Sequence, residues 1–153
     1  MTIPVSTVPA AVASLTTLIN TQVATDSLPI LVCQGDVPMD VPNDIIQIAT
    51  NVRRSVKPEA FIGSYQLGSL QEDYTVSCLC SSWSGDPDPV AITARAYQLA
   101  GYIETAVRTD PTLGTNVIEA HPAGTDGGNA TWTDSPVGRL CELTVDVFVT
   151  TIN

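Results

Sequence analysis

The chain has 153 residues, of which 44% are apolar and 14% charged, and its formal net charge is −10 from 16 acids and six bases. This length favours a single domain, residues 1–153, with a core of its own, and the composition excludes a disordered chain. The negative charge excludes general binding of nucleic acid through the surface, because phosphates would be repelled, but it suits a passage through which DNA moves without sticking.

The N-terminal part of the chain predicts a helix followed by two strands. Thr7 can cap the helix, and Pro9 lies in its first turn, where a missing N–H costs nothing. A short buried strand from Ile30 to Cys33 follows, and then a second strand over residues 44–52. The apolar residues of the helix recur at helical spacing, at Ala11, Val12, Leu15, Leu18, Ile19 and Val23.

Residues 53–70 show no clean periodicity and contain Lys57-Pro58, Gly63 and Gly68. We interpret this segment as a long loop between the second and third strands, and loops of this length are usually functional or mobile.

The third predicted strand, residues 74–83, alternates between two faces and places Cys78 and Cys80 on the same face, about 7 Å apart. Side chains that point the same way are poorly placed for a disulfide. A zinc site would need ligands from Cys33, Cys141 or His121, and no CxxC spacing occurs in the chain. We therefore interpret both cysteines as small residues packed in the core.

A second helix is predicted from Asp88, as N-cap, to about Thr109, with Pro89 in its first position and with Pro111 and Gly114 after its end. Arg95 and Arg108 lie largely off its inner face. A cation site at Asp86 and Asp88 is disfavoured, because no further ligands follow at a recognisable spacing. The inner face is expected to comprise Ile92, Ala96, Leu99, Ile103, Ala106 and Val107.

The C-terminal third is rich in strand patterns. A strand over 116–122, a Gly-rich turn over 123–130 and a short strand around Trp132 precede a final strand, residues 139–152, in which apolar and polar residues alternate. The whole pattern predicts an α+β fold: a mostly antiparallel sheet of four to five strands packed against two helices.

Catalytic signals are sparse, and we predict a protein that is not an enzyme and that needs no cofactor or metal. His121, the single histidine, precedes Pro122 and is interpreted as a turn residue, since no motif marks a nucleophile or an orienting carboxylate. No GxxxxGK phosphate loop occurs. Asp126, Asn129 and Asp134 suit a weak calcium site, but a hairpin accounts for them more simply.

Half of the cations of the chain, Arg53, Arg54 and Lys57, lie within five residues of the predicted loop. A solvated loop is the simpler interpretation, and an electrostatic docking point for an acidic partner is the alternative. Phe61 and Tyr65 on the same loop need cover that a neighbouring subunit would supply. These five residues are the candidate partner-binding residues.

The order of elements resembles that of the tail terminator (minor tail) proteins of long-tailed bacteriophages, the family of the phage lambda tail terminator. The resemblance covers nearly the whole chain. Its main segments are "VPAAVASLTTLI", "LPILVCQGD", "NDIIQIAT", "EDYTVSCLCSSWSGD", "PVAITARAYQLAGYIETAVRTDPTLG" and "VGRLCELTVDVFVTTI".

The resemblance implies a structural virion protein that forms a hexameric ring, caps the tail tube, stops its polymerisation and joins the tail to the head connector. The implied partners are the tail tube protein and the connector protein, with DNA passing through the lumen. The protein would lie at the head–tail junction of the virion, and in the host cytoplasm during assembly. No membrane association is expected, since no apolar stretch approaches the length of a membrane span. The alternatives are a tail tube subunit or another neck protein and, of a different class, a small cytosolic enzyme or ligand-binding domain.

Overall fold

The computed structural model describes residues 5–58, 70–86, 88–134 and 137–152. The elements are α1 Val8–Val23, β1 Ile30–Gln34, β2 Asp44–Pro58, β3 Leu70–Ser84, α2 Pro89–Thr109, β4 Glu119–Asp134 and β5 Val137–Ile152. The strands form a five-stranded sheet of order β1-β2-β3-β5-β4, in which the β1–β2 pair is parallel and the other pairs are antiparallel. The predicted α+β fold is therefore confirmed.

The core lies between one face of the sheet and the two helices. On β3 the buried residues alternate, and Tyr74 and Val76 pair across the sheet with Val149 and Val147 of β5. Every residue predicted for the inner face of α2 is buried, and α1 adds its own apolar stripe, Ala11, Val12, Leu15 and Ile19. We call the opposite face of the sheet, which carries residues such as Ser77, Ser81 and Asp146, the open face.

The two helices begin in different ways. Asp88 caps α2 as predicted: its Oδ1 accepts a hydrogen bond from the backbone N–H of Val90 at 3.0 Å. Thr7 holds the N-cap position of α1, but its side chain makes no cap hydrogen bond. The Thr7 hydroxyl lies instead 3.2 Å from a carboxylate oxygen of Glu72 and 3.1 Å from the hydroxyl of Tyr74. The prediction that Thr7 caps α1 through its side chain is therefore wrong, because β3 competes for the hydroxyl.

The prediction of a loop over 53–70 is wrong at both ends. Residues 53–58 belong to β2 and Leu70 to β3, and they continue the antiparallel pairing to Pro58 and Leu70. Charged residues concealed the period-two pattern, because Arg54 and Glu72 occupy positions on the covered face of the sheet, in phase with Tyr74. Residues 59–69, with Phe61 and Tyr65, lie outside the described residues. We call residues 51–58 and 70–76, beyond the register shift between Gln47 and Asn51, the β2–β3 arm.

The predicted Gly-rich turn over 123–130 is also wrong. These residues run within β4, which pairs with β5 along its whole length apart from two register shifts, at Pro122/Gly124 and Gly127/Ala130. The shifts absorb extra residues as bulges, and Gly127 supplies a φ of 96° in one of them. A Cβ at Gly127 would lie 2.8 Å from the carbonyl oxygen of Glu142. The residues that are typical of turns therefore form bulges in an edge strand.

The buried thiols give a first prediction. Cys78 and Cys80 are fully buried and unpaired, as the strand pattern indicated, and burial raises the pKa of Cys78 to about 11. We expect Cys78→Ser and Cys80→Ala each to lower the free energy of unfolding by about 1 kcal/mol or more, measured by urea denaturation. Both thiols should resist a thiol reagent at pH 8 until the protein unfolds. Stoichiometric zinc released by that reagent would contradict the packing role.

Candidate interaction surfaces

The β2–β3 arm distributes its three cations over two faces. Arg54 lies on the covered face, and its Nε donates to Oε1 of Glu72. Arg53 and Lys57 alternate with it and therefore lie on the open face. The Nζ of Lys57 is 3.8 Å from a carboxylate oxygen of Asp73. The predicted cluster is therefore divided between an internal ion pair and a more exposed pair of cations.

Glu72 ties the arm to the start of α1. It is fully buried, and besides Arg54 it accepts hydrogen bonds from the hydroxyl of Ser6 and from the backbone N–H of Thr7, the latter at 3.0 Å. A carboxylate at this place also faces the positive end of the helix dipole. Glu72 is thus a structural anchor, and Arg54 is part of it.

The open face of the sheet is lined with carboxylates held by hydroxyl groups. Ser77 donates to Asp146 at 2.6 Å, and Thr150 donates to Asp73 at 2.6 Å. The Thr150 hydrogen bond, with a second from Gln71, holds the pKa of Asp73 below its usual range. The hydrogen bonds hold both carboxylates in place on the open face, and the bond from Thr150 favours the ionised form of Asp73. A further hydroxyl–carboxylate pair is formed by Ser81 and Glu142, at 3.3 Å.

A buried ion cluster lies at the other end of the sheet. Arg95 of α2 donates from Nη1 to Asp26 at 2.7 Å and from Nε to Asp44 at 2.8 Å. The two carboxylates are 4% and 7% exposed. Hydrogen bonds from Arg95 and then from Tyr102, at 2.6 Å, hold the pKa of Asp26 well below its usual range. Ser82 donates to the second oxygen of Asp44 at 2.6 Å, so the cluster joins α2 to the starts of β1 and β2.

Next to this cluster lies a cavity of about 510 Å³, which we call the end cavity. Its wall is largely apolar, with Leu28, Trp83 and Ile92, and Asn43 and Arg95 supply polar groups. The carboxylate among its described lining residues, Asp44, is already paired with Arg95 and Ser82. The end cavity is therefore a largely apolar recess beside the ion cluster.

Neither of the two buried carboxylates, Glu72 and Asp44, was predicted from the sequence, although the sequence contained a signal for each. Glu72 is in phase with buried Tyr74 and Val76 on β3, and Asp44 is in phase with buried Ile46 and Ile48 on β2. A carboxylate at such a position needs a buried partner. Identifying Arg95 as the partner of Asp44 required the fold, since the two residues are far apart along the chain.

The prediction that His121 is a turn residue is wrong, because it lies within β4, where its ring centroid is 5.3 Å from that of Phe148. Among the described residues, no group of three or more His, Cys, Asp or Glu side chains is placed to hold a metal ion. Neither α1 nor α2 has the length and apolarity to cross a membrane. A scan against models of known protein families and a search of curated proteins both find no match for the chain. Its function has to be inferred from its own surfaces.

Proposed function

We propose that this protein is a structural virion subunit that forms a ring on the end of a phage tail tube, stops tube polymerisation and joins the tail to the head connector. The observation that carries the proposal is the open face of the sheet, where hydroxyl groups hold the carboxylates of Asp73, Glu142 and Asp146 on neighbouring strands. The resemblance of the element order to tail terminator proteins supports it.

The proposed mechanism is electrostatic. A ring on the path of DNA has to let a polyanion pass without binding it, and a lumen lined with carboxylates repels phosphate groups. The net charge of −10 per chain multiplies with the number of subunits. On the open face, Arg53 and Lys57 lie on either side of Asp73 in the β2–β3 arm, because they pair with Thr75 and Gln71, and the opposite end of the face carries Ser81 and Glu142. Both cations thus lie in the arm, away from Glu142.

The same open face suits a tail tube subunit or another neck protein, and these remain the second candidate. A ring protein and a tube subunit differ in how they assemble, because a ring closes on itself whereas a tube continues to add subunits. A third candidate, a ligand-binding domain, draws on the end cavity, whose volume falls in the range of small-molecule sites. Saturable stabilisation by a small molecule in a thermal shift screen would favour it.

The proposal is tested by adding the purified protein to growing tubes of the tail tube protein from the same virion. We expect a closed ring by negative-stain imaging and by mass in solution, and tubes that stop growing once it is added. The protein should not retain DNA at low salt, whereas Glu142→Lys together with Asp146→Lys should produce salt-sensitive binding. Asp146→Asn is the matched variant that leaves capping intact. Continued tube growth, or tight DNA binding by the native protein, would contradict the proposal.

A further inference from the structure

The end cavity has the size and the wall of a small-molecule site. Its volume of about 510 Å³ lies within the range of cavities that hold organic ligands. Of its lining residues, Leu28 and Ala91 are exposed and Ile92 is buried, so the cavity opens to solvent and extends to the core. Pro29 and Pro42 add further apolar wall. An apolar molecule that enters the cavity is therefore removed from water, which favours its binding.

One residue of the wall carries a hydrogen-bond donor that the described part of the chain leaves unsatisfied. Arg95 donates from Nη1 to Asp26 and from Nε to Asp44. Its Nη2 is buried and has no hydrogen-bond partner within the described residues. A buried N–H group without an acceptor costs free energy, and in native proteins such a group usually has a water or a ligand as its partner. The end cavity is a space beside Arg95 from which an acceptor can come.

The charges around Arg95 disfavour both kinds of ion in the cavity. A cation finds no free counter-charge among the described lining residues, because Asp44 already accepts from Arg95 and from Ser82. An anion would meet two carboxylates, those of Asp26 and Asp44, around a single guanidinium group. Burying an ion in a largely apolar recess without a counter-charge is costly. A neutral molecule with an acceptor oxygen is the class of ligand that remains.

We infer that the end cavity binds a small neutral organic molecule, with its apolar part against Leu28 and Ile92 and a carbonyl-type oxygen that accepts from Nη2 of Arg95. The inference goes beyond the proposed ring and does not rest on it. The ring proposal draws on the open face of the sheet, whereas residues of α2 and of the strand ends form the cavity. Ligand binding and tube capping can therefore be tested separately.

The test uses the full chain and three probes of similar shape: acetophenone, which is neutral and carries a carbonyl oxygen, benzoate, which is an anion, and benzamidine, which is a cation. Each probe is titrated while the methyl resonances of Leu28 and Ile92 are followed by NMR. Acetophenone should shift both resonances saturably, and the two ions should bind about tenfold or more weakly. The carbonyl carbon resonance of bound acetophenone should lie near its position in water, where the oxygen accepts hydrogen bonds, and not near its position in a hydrocarbon solvent.

Two variants of α2 test whether acetophenone binds in the end cavity. Ala91→Phe places a ring in the cavity and should weaken acetophenone binding about tenfold or more. Ala94→Phe is the matched control, because it makes the same change at an exposed position of α2 outside the cavity lining, and it should bind acetophenone like the native protein. Both positions are exposed, so both variants should keep the native unfolding temperature.

Four results would overturn the inference: equal binding of either ion, a bound carbonyl resonance at its hydrocarbon position, binding that survives Ala91→Phe, or no binding of acetophenone. In the last case an ordered water would be the acceptor for Nη2 of Arg95. The tube-capping experiment separates the two proposals. A protein that binds acetophenone in the cavity but leaves tubes growing would refute the ring and support the inference. A protein that caps tubes but binds no acetophenone would do the reverse.

Discussion

Replacing Arg95 by methionine is expected to lower the free energy of unfolding by about 3–5 kcal/mol at pH 7. Methionine keeps the bulk of the stem but removes the charge that faces Asp26 and Asp44. Both carboxylates are more than nine-tenths buried and would be left without their cation. Removing one partner of a buried ion pair costs more than the pair contributes, because the remaining charge stays desolvated. Urea denaturation measures the loss.

The matched control is Arg108→Met. Arg108 pairs with Glu104 on the exposed side of α2 at 3.6 Å, and its side chain is 71% exposed, so its loss should change stability by less than about 0.5 kcal/mol. Adding Asp26→Asn and Asp44→Asn to Arg95→Met should recover part of the loss, because no unpaired charge remains. An Arg95→Met protein as stable as the native one would show that the cluster is not a structural anchor.

The same cluster predicts a pH dependence with a definite sign. Because the pKa of Asp26 is lowered in the folded protein, its ionised form contributes stability that is fully present above the unfolded pKa of about 3.9. That stability is lost as the pH falls towards the folded pKa. The deficit of Arg95→Met should therefore be largest near neutral pH and narrow below about pH 4. A deficit that stays constant down to pH 3 would contradict this.

The sequence predicted those elements in which side-chain pattern and local chemistry agree. Asp88 and Pro89 start α2 as expected, and the apolar spacing of α2 identified its buried face. The period of two along β3 and β5 identified the core-facing residues, including both buried cysteines. In each of these elements the residues that determine the structure are neighbours along the chain.

Prediction from the sequence failed where the structural role of a residue depends on a partner that is distant along the chain. Arg54 and Glu72 broke the strand pattern of the arm because each is acceptable at its position only beside the other. Gly127 indicated a turn, but β5 offers a continuous partner, and the glycine serves a bulge instead. The end cavity could not be predicted from the sequence, because its wall comes from four separate segments that only the fold brings together.

The two adjacent arginines of the arm should differ strongly in how much stability their charge reversal costs. Arg54→Glu is expected to lower the free energy of unfolding by about 2–4 kcal/mol, because a second carboxylate would face the buried carboxylate of Glu72. The value lies below that for a fully buried pair because the Arg54 side chain is 42% exposed and is partly screened by water. Arg53→Glu lies on the open face and should change stability by less than about 0.5 kcal/mol.

Arg54→Glu should destabilise one region of the protein first, before the whole fold unfolds. Glu72 holds the hydroxyl of Ser6 and the N–H of Thr7, so losing its cation frees the first turn of α1 together with the β2–β3 arm. Hydrogen exchange should rise in these two regions and stay slow in α2 and β5. Arg54→Met is the matched variant: it removes the ion pair without adding a like charge and should lose less stability. Equal losses from Arg53→Glu and Arg54→Glu would show that the covered and open faces of the arm are not distinguished as described.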